Sequence, residues 1–353
     1  MSKYFTTRLS ALTPYTPGEQ PKDQKYIKLN TNESPFPPSP SVVEAARMSA
    51  ERLQLYCDPE CKRLTEKAAE VFGVGYNNVI MTNGSDEALY FAFMAFSDES
   101  RPIAFADITY GFYPVFASLL SLPYEIIPLK EDFSVDPEDY IGLGKNVVIA
   151  NPNAPTGKCL PLSDVERIVA SNPDNVVIID EAYVDFGGES AIPLTKKYDN
   201  LIVTGTFSKS RSMAGARLGF AIGCEALIND LQTIKYSTNP YNVNAMTQAA
   251  GLAALTDNVY YMDNCKRIIA NREYTERELT ALGFEVILSK ANFVFVRSDR
   301  VEGGELYKKL REKGILVRHF DKERISEYNR ITIGSMEQME ALVAAIKEIL
   351  EAK

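Results

Sequence analysis

The sequence predicts an α/β fold in which a large domain, built on a mostly parallel mixed sheet covered by helices, is joined to a smaller α+β domain. Between Val79 and Val203 six short apolar runs rich in Val and Ile alternate with stretches of helical spacing, the pattern of a sheet buried on both faces. Beyond Leu282 the chain restarts with strand-like runs of its own. Its 353 residues also exceed what one hydrophobic core usually fills. The expected division is an arm over residues 1–35, a large domain over 36–265 whose start contributes partly to the small one, and a small domain over 266–353.

Taken in order, the opening segment is polar and punctuated by Pro14, Pro17 and Pro21, and reads as an extended arm lying across a neighbouring domain or subunit. Residues 29–40, LNTNESPFPPSP, admit neither helix nor sheet and form either a linker or a rigid loop edging a pocket. Helical spacing follows over 41–55 and 61–72, with Tyr56 between them. The apolar runs begin at Val79, Ile103, Glu125, Val147, Val176 and Leu201, and helices fall at 85–96, 112–122 and 163–171. After Gly223 the pattern is helical over 225–235, 243–255 and 258–282, the last long enough to link two domains. The remainder holds the strands FEVIL, NFVFVRS, ILVR and RITIG, with helices at 304–313 and 336–350. Internal repeats are absent.

Composition narrows the function classes. A net charge of −9 and a pI near 5.0 argue against nucleic acid or an anionic membrane as the main partner, so an anionic ligand must be held by local groups. Apolar runs stop well short of the ~20 residues of a membrane span. The start, MSKYFTTRLS, lacks the apolar core of a signal peptide, so a cytoplasmic location is expected. Five cysteines, an odd number and mostly scattered, suit a reducing compartment. Cys57 and Cys61 have no partners at zinc spacing, so no metal site is expected. The single histidine, His319, has no nucleophile elbow near it and reads as a supporting residue.

Ligands of parallel sheets gather at the carboxyl ends of the strands, so the residues there carry the argument. The first run leads into Asn83-Gly84-Ser85-Asp86 at a helix start, where free N–H groups bind phosphate, although such a turn also serves as a plain cap. The second leads to Tyr110, which either faces a planar ring or fills core. The fourth gives NPNAPTG, residues 151–157, a proline-fixed loop whose Asn amides can reach into a cleft. The fifth ends at Asp180-Glu181-Ala182-Tyr183. A carboxylate so placed is buried and needs a cation, either a protonated pyridine nitrogen or an arginine. The sixth ends at Thr206, Ser208 and Lys209, with Arg217 eight residues on, a set suited to holding an anion. A lysine in a Ser/Arg-rich turn is ordinarily solvated. Just beyond a buried strand, however, its amine is freed to attack an aldehyde such as pyridoxal phosphate.

In this order the motifs LTPYTPG, LNTNESPFPP, Tyr56 before Pro59-Glu60, NGSDEAL, TYGFY, NPNAPTG, DEAYVDF, TFSKSRSMAGARLG and RITIG resemble the fold-type I pyridoxal phosphate aminotransferases along nearly the whole chain. They are most similar to the branch acting on histidinol phosphate. The resemblance implies that Lys209 binds the cofactor covalently and shuttles the proton between Cα and C4′, that Asp180 pairs with the pyridine nitrogen, and that Tyr183 bonds the phenolic oxygen. It implies Tyr110 stacked on the ring, and Gly84, Ser85, Asp86, Thr206, Ser208 and Arg217 around the cofactor phosphate. Tyr56 would reach that phosphate from a neighbouring subunit, which makes the enzyme a homodimer with shared sites. Arg330, with Tyr15, Asn32 and Arg318, would bind the substrate, a small-molecule amino donor or a 2-oxo acid acceptor.

One departure concerns the residue before Pro-Thr-Gly. The family usually has Asn there to touch the phenolic oxygen, whereas this chain has Ala154, and Asn153 is the expected substitute. Two same-fold alternatives stay open, an aminotransferase of aromatic amino acids and an O-phosphothreonine decarboxylase. A third is a cofactor-binding regulator without turnover, but the segment before Asn30 is too short for the DNA-binding domain such proteins carry.

Overall fold

The computed structural model describes residues 2–352. Strand β1 (Ile27–Lys28) leads into helices α1 (Pro40–Ala50) and α2 (Lys62–Phe72). There follow β2 (Val79–Thr82), α3 (Ser85–Phe96), β3 (Ile103–Ala106), α4 (Tyr113–Leu120), β4 (Tyr124–Ile127) and β5 (Asn146–Ala150). Next come α5 (Leu162–Ser171), β6 (Val177–Asp180), β7 (Leu201–Thr206), β8 (Gly219–Gly223), α6 (Glu225–Thr238) and α7 (Ala245–Thr256). The chain closes with α8 (Asn258–Ala281), β9 (Glu285–Ile287), β10 (Phe293–Arg297), α9 (Gly303–Glu312), β11 (Ile315–Leu316), β12 (Arg318–His319), β13 (Asn329–Thr332) and α10 (Met336–Glu351).

The large sheet has seven strands in the order β2-β8-β7-β6-β5-β3-β4. Strands β3 to β7 pair in parallel, and β8 runs antiparallel to both β7 and β2. Alternate residues face opposite sides. Val147, Ile149, Val177, Ile179, Leu201 and Val203 pack with α2, α5 and α7, whereas Val148, Ile178 and Ile202 pack with α3 and α6. This two-sided burial explains runs that are apolar throughout rather than alternating. All the parallel strands end at one edge of the sheet. There β7 turns at Thr206 and returns at Gly219 as β8, so Lys209 and Arg217 both lie within the connection of a single hairpin.

The second sheet is antiparallel, in the order β12-β13-β10-β9, and packs its apolar side on α8, α9 and α10 through Val294, Val296, Ile331, Leu306, Leu310, Leu342 and Ile346. Helix α8 serves both cores, with Tyr261 in the large one and Ile268 and Leu279 in the small one. The arm joins the small unit through β1, which pairs in parallel with β11.

Two expectations change in detail. The run ILVR divides: Ile315–Leu316 pairs with the arm, and Arg318–His319 with β13, because the chain passes from one sheet to the other at buried Val317. Helix α1 ends at Ala50 rather than extending to 55, and Leu53 and Leu55 lie beyond it, 58% and 55% exposed. Their apolar spacing faces away from this chain's core.

Candidate active site

Two cavities meet at Lys209. The narrower is lined by Ser85, Asp86, Tyr110, Ala154, Asp180, Tyr183, Thr206, Ser208, Lys209 and Arg217. The wider, of about 720 Å³, extends outward between the arm and the small sheet and includes Tyr15, Asn32, Lys209, Arg318 and Arg330 in its wall.

The narrower cavity begins at α3. The N–H groups of its first turn have no intrahelical partners and point at the space an anion would fill. Glycine is required at two points of this cradle. Gly84 has φ +80°, and a Cβ on Gly219 would stand 2.4 Å from Gly84 C and Ser85 N. Opposite the helix start, Thr206 Oγ1 donates to Ser208 Oγ at 3.0 Å, Ser208 N donates to Thr206 Oγ1 at 3.1 Å, and Arg217 Nη1 reaches Ser208 Oγ at 3.5 Å. Arg217 Nη2 also donates to Asp86 Oδ2 at 2.8 Å, and Tyr110 Oη donates to Asp86 Oδ1 at 2.7 Å. Burial and that carboxylate hold the Tyr110 phenol well above its ordinary range.

At the other end of the cavity Asp180 is 4% exposed. Tyr113 Oη donates to its Oδ2 at 2.8 Å and Ala182 N to its Oδ1 at 3.3 Å, and no cation among the described residues forms an ion pair with it. Burial therefore pushes its carboxyl up to about 6. Between these ends, Lys209 Nζ donates to Thr31 O at 3.2 Å and lies 5.7 Å from the centre of the Tyr183 ring. Tyr183 Oη accepts from Asn32 Nδ2 at 3.0 Å, and its ring meets Phe293 edge-on.

In the wider cavity Arg330 donates through Nη2 to Asn30 O at 3.0 Å, and its guanidinium lies over Phe293 and Phe320. Its Nε is buried with no hydrogen-bond partner. Arg318 spends its two Nη groups on the carbonyls of Pro17 and Thr16, 3.3 and 3.2 Å away. Tyr15 stacks on Phe112 with ring centres 4.4 Å apart.

One expected residue stands elsewhere, and Tyr56, expected to serve a neighbouring subunit, lies outside this chain's own cavities at Lys209. Asn153 does not line the narrower cavity. Its amide donates to Ile108 O and Thr156 Oγ1 and accepts from Thr109 Oγ1, bonds that hold the loop itself, and Ala154 faces the cavity instead. Tyr56 is 84% exposed, stacked on Tyr241 at 4.5 Å, and lines a separate hollow between α1 and α7. Tyr113 is the residue that strand-end reasoning passed over. It lies three positions after Tyr110, and its place at the first turn of a helix was the available signal.

A lysine amine and a buried, cation-free carboxylate at the open edge of this sheet define a class. The family model for aminotransferase class I and II matches residues 24–346, and the chain belongs to that family. Relatives bear a narrower name. Histidinol-phosphate aminotransferase of Brachyspira hyodysenteriae is 50% identical over 353 residues, spanning 99% of this chain and 100% of its own. Histidinol-phosphate aminotransferase of Clostridium acetobutylicum is 48% identical over 351 residues, again 99% and 100%. Among solved structures, histidinol-phosphate aminotransferase from Sinorhizobium meliloti in complex with pyridoxal-5'-phosphate matches with a TM-score of 0.90 at 24% identity, covering 100% of this chain and 99% of that one. L-threonine-O-3-phosphate decarboxylase from Porphyromonas gingivalis matches at 0.80 and 22%, covering 92% and 99%. At those identities the structural likeness is one of fold.

The residues present fit pyridoxal phosphate. Asp180 is a buried carboxylate without a cation, which a protonated ring nitrogen supplies. The helix start, Ser208 and Arg217 form a seat for a phosphate, and Lys209 offers an amine between the two.

Proposed function

We propose that the chain binds pyridoxal 5'-phosphate in the narrower cavity and transfers the amino group of histidinol phosphate to 2-oxoglutarate, giving imidazole acetol phosphate and glutamate in histidine biosynthesis. The observation that carries an anionic substrate is Arg330, a guanidinium with a buried, unpartnered Nε in the cavity that opens onto Lys209. An anionic group meets that need. Support also comes from full-length relatives of that name at about half identity.

Pyridoxal phosphate, when bound, supplies an aldehyde and an electron-accepting ring. Lys209 Nζ, with a single backbone carbonyl as its hydrogen-bond partner, would be free to hold the cofactor's aldehyde and to act as the base that takes the proton from the substrate Cα. Asp180 would accept a hydrogen bond from the protonated ring nitrogen and so keep that nitrogen charged. Tyr183 Oη already accepts from Asn32, so its own proton is left to donate to the ring's phenolic oxygen. Tyr110, fixed through Asp86, offers a ring face. Arg330, with Arg318 and Tyr15 close by, holds the anionic end of either substrate, so donor and acceptor take turns in one site.

The reading extends to a cytoplasmic homodimer. Met48, Leu53, Leu55 and Tyr56 form an exposed apolar strip that a second copy would cover, bringing Tyr56 to the partner's phosphate seat. No helix among the described residues is long and apolar enough to cross a membrane, and all five cysteines are free.

The test is a half-reaction screen of cofactor-loaded protein with histidinol phosphate, phenylalanine and O-phosphothreonine, following the visible absorbance and the products. Histidinol phosphate should exceed phenylalanine in kcat/KM, the order that the name of the full-length relatives implies. A preference for phenylalanine, or CO2 released from O-phosphothreonine, would overturn the assignment.

A further inference from the structure

Tyr113 is fully buried at the first turn of α4, and its ring packs against Phe93, Phe105 and Tyr110 with centres 6.3, 6.0 and 5.7 Å away. A phenylalanine would fill that aromatic space equally well. A phenolic hydroxyl placed there loses its water and must be compensated, and its hydrogen bond is the one to Asp180 Oδ2 at 2.8 Å. Two consequences follow from a donor on that oxygen. It fixes the rotation of the carboxylate, leaving Oδ1 to share between Ala182 N and the cavity. It also stabilises the ionised form against the burial that opposes it. The donor is durable, because burial and the same carboxylate hold the Tyr113 phenol well above its ordinary range.

Other titratable groups surround Asp180 on every side. Asp86 at the start of α3 and Glu181, the residue after β6, oppose its charge. Tyr110, Tyr183, Lys209 and Arg217 share its cavity. Of the titratable groups around Asp180, Tyr113 is the one hydrogen-bonded to the carboxylate, and its effect in favour of the ionised form exceeds that of the Thr204 hydroxyl, so it is the group best placed to set that ionisation.

We propose that Tyr113 is a positioning residue for the cofactor: acting through Asp180, it keeps an ionised, oriented carboxylate available to the ring nitrogen and so sets the acid limit of cofactor binding. This rests on pyridoxal phosphate being the occupant of the narrower cavity. A merely structural tyrosine would support the packing of α4 without moving that limit.

The experiment measures the pyridoxal phosphate dissociation constant from pH 5 to 9, by fluorescence, for the wild type, Tyr113→Phe and the packing control Phe105→Leu. Binding weakens on the acid side as Asp180 takes up a proton. Tyr113→Phe should weaken binding about tenfold and move the acid limb up by about one pH unit. Phe105→Leu should leave the limb where the wild type has it. In an Asp180→Asn background the same Tyr113→Phe change should add nothing, since its target has gone. A limb unmoved in Tyr113→Phe, or an effect that persists in the Asp180→Asn background, overturns the role of Tyr113 alone. A wild type that takes up no pyridoxal phosphate overturns the reading of the cavity and the proposal with it.

Discussion

Asn32 Nδ2 donates to Tyr183 Oη at 3.0 Å, joining residues 151 positions apart in the chain. Asn32 is itself held on the small unit, where its N–H donates to Thr332 Oγ1, its Oδ1 accepts from Thr332 Oγ1, and its carbonyl accepts from Asn292 Nδ2. The left-handed backbone of Asn32, φ +57°, is one that asparagine tolerates better than most residues. The Tyr183 hydroxyl is therefore aimed by the small unit, not only by the loop after β6 that carries it.

Replacing Asn32 with Ala removes that aim. We expect kcat to fall about tenfold, the loss of one buried hydrogen bond with some backbone strain, while cofactor affinity changes less. Steady-state rates beside a cofactor titration separate the two. Turnover at the wild-type rate would make the bond incidental.

Lys209→Ala should abolish both turnover and the visible absorption of the loaded protein, because the amine between the two cavities is gone. The fold should persist, since Nζ has a single hydrogen bond, to Thr31 O. An absorbance spectrum and a thermal melt check both halves; retained transamination would refute the role given to this lysine.

Burial lifts the carboxyl of Asp180 to about 6 and that of Glu181 to about 8, above unfolded values of about 3.9 and about 4.3. A group raised in this way contributes stability that is fully present below its unfolded value and is lost as pH rises through its folded one. The cofactor-free protein should thus lose stability from about pH 4 to about 6 through Asp180, and on to about 8 through Glu181. In Asp180→Asn the first part disappears, so its Tm relative to the wild type should climb over that lower range and then level off. A difference that stays constant with pH would contradict the assignment.

The two arginines of the wider cavity should differ. Arg330→Gln removes the buried guanidinium and should raise KM about 100-fold for phosphorylated donor and 2-oxo acid alike. Arg318→Gln, whose donors already serve Thr16 and Pro17 carbonyls, should cost about tenfold or less and also loosen the arm. Initial rates against each substrate, with limited proteolysis of the arm, measure both. Equal KM effects would place the substrate anion midway between them.

Much of the site is legible because it hangs on parallel strands whose ends share one edge. Asp180, Lys209, Ser85 and Arg217 each follow a readable run or helix start, so their neighbourhood follows from topology. Side-chain direction inside loops is a different matter. Asn153 and Ala154 are adjacent, and which one faces the cavity depends on bonds from Asn153 to Ile108, Thr109 and Thr156 that no local pattern announces. Strand β8 hides for a related reason. GFAIG reads as an apolar scrap between glycines, and only its pairing with β2 and β7 makes it a strand. The apolar spacing at Leu53 and Leu55 is real, but it meets solvent in the single chain.

Because Lys209 and Arg217 sit in the connection of the β7–β8 hairpin, the reactive amine and the guanidinium of the phosphate seat are spaced by two neighbouring strands. The wall of the wider cavity is shared by residues 11–18, 108–118 and 318–330, three segments remote in sequence from that hairpin and from each other. A designer wanting a new amine substrate has those outlying segments to work on, away from the hairpin that carries Lys209 and Arg217.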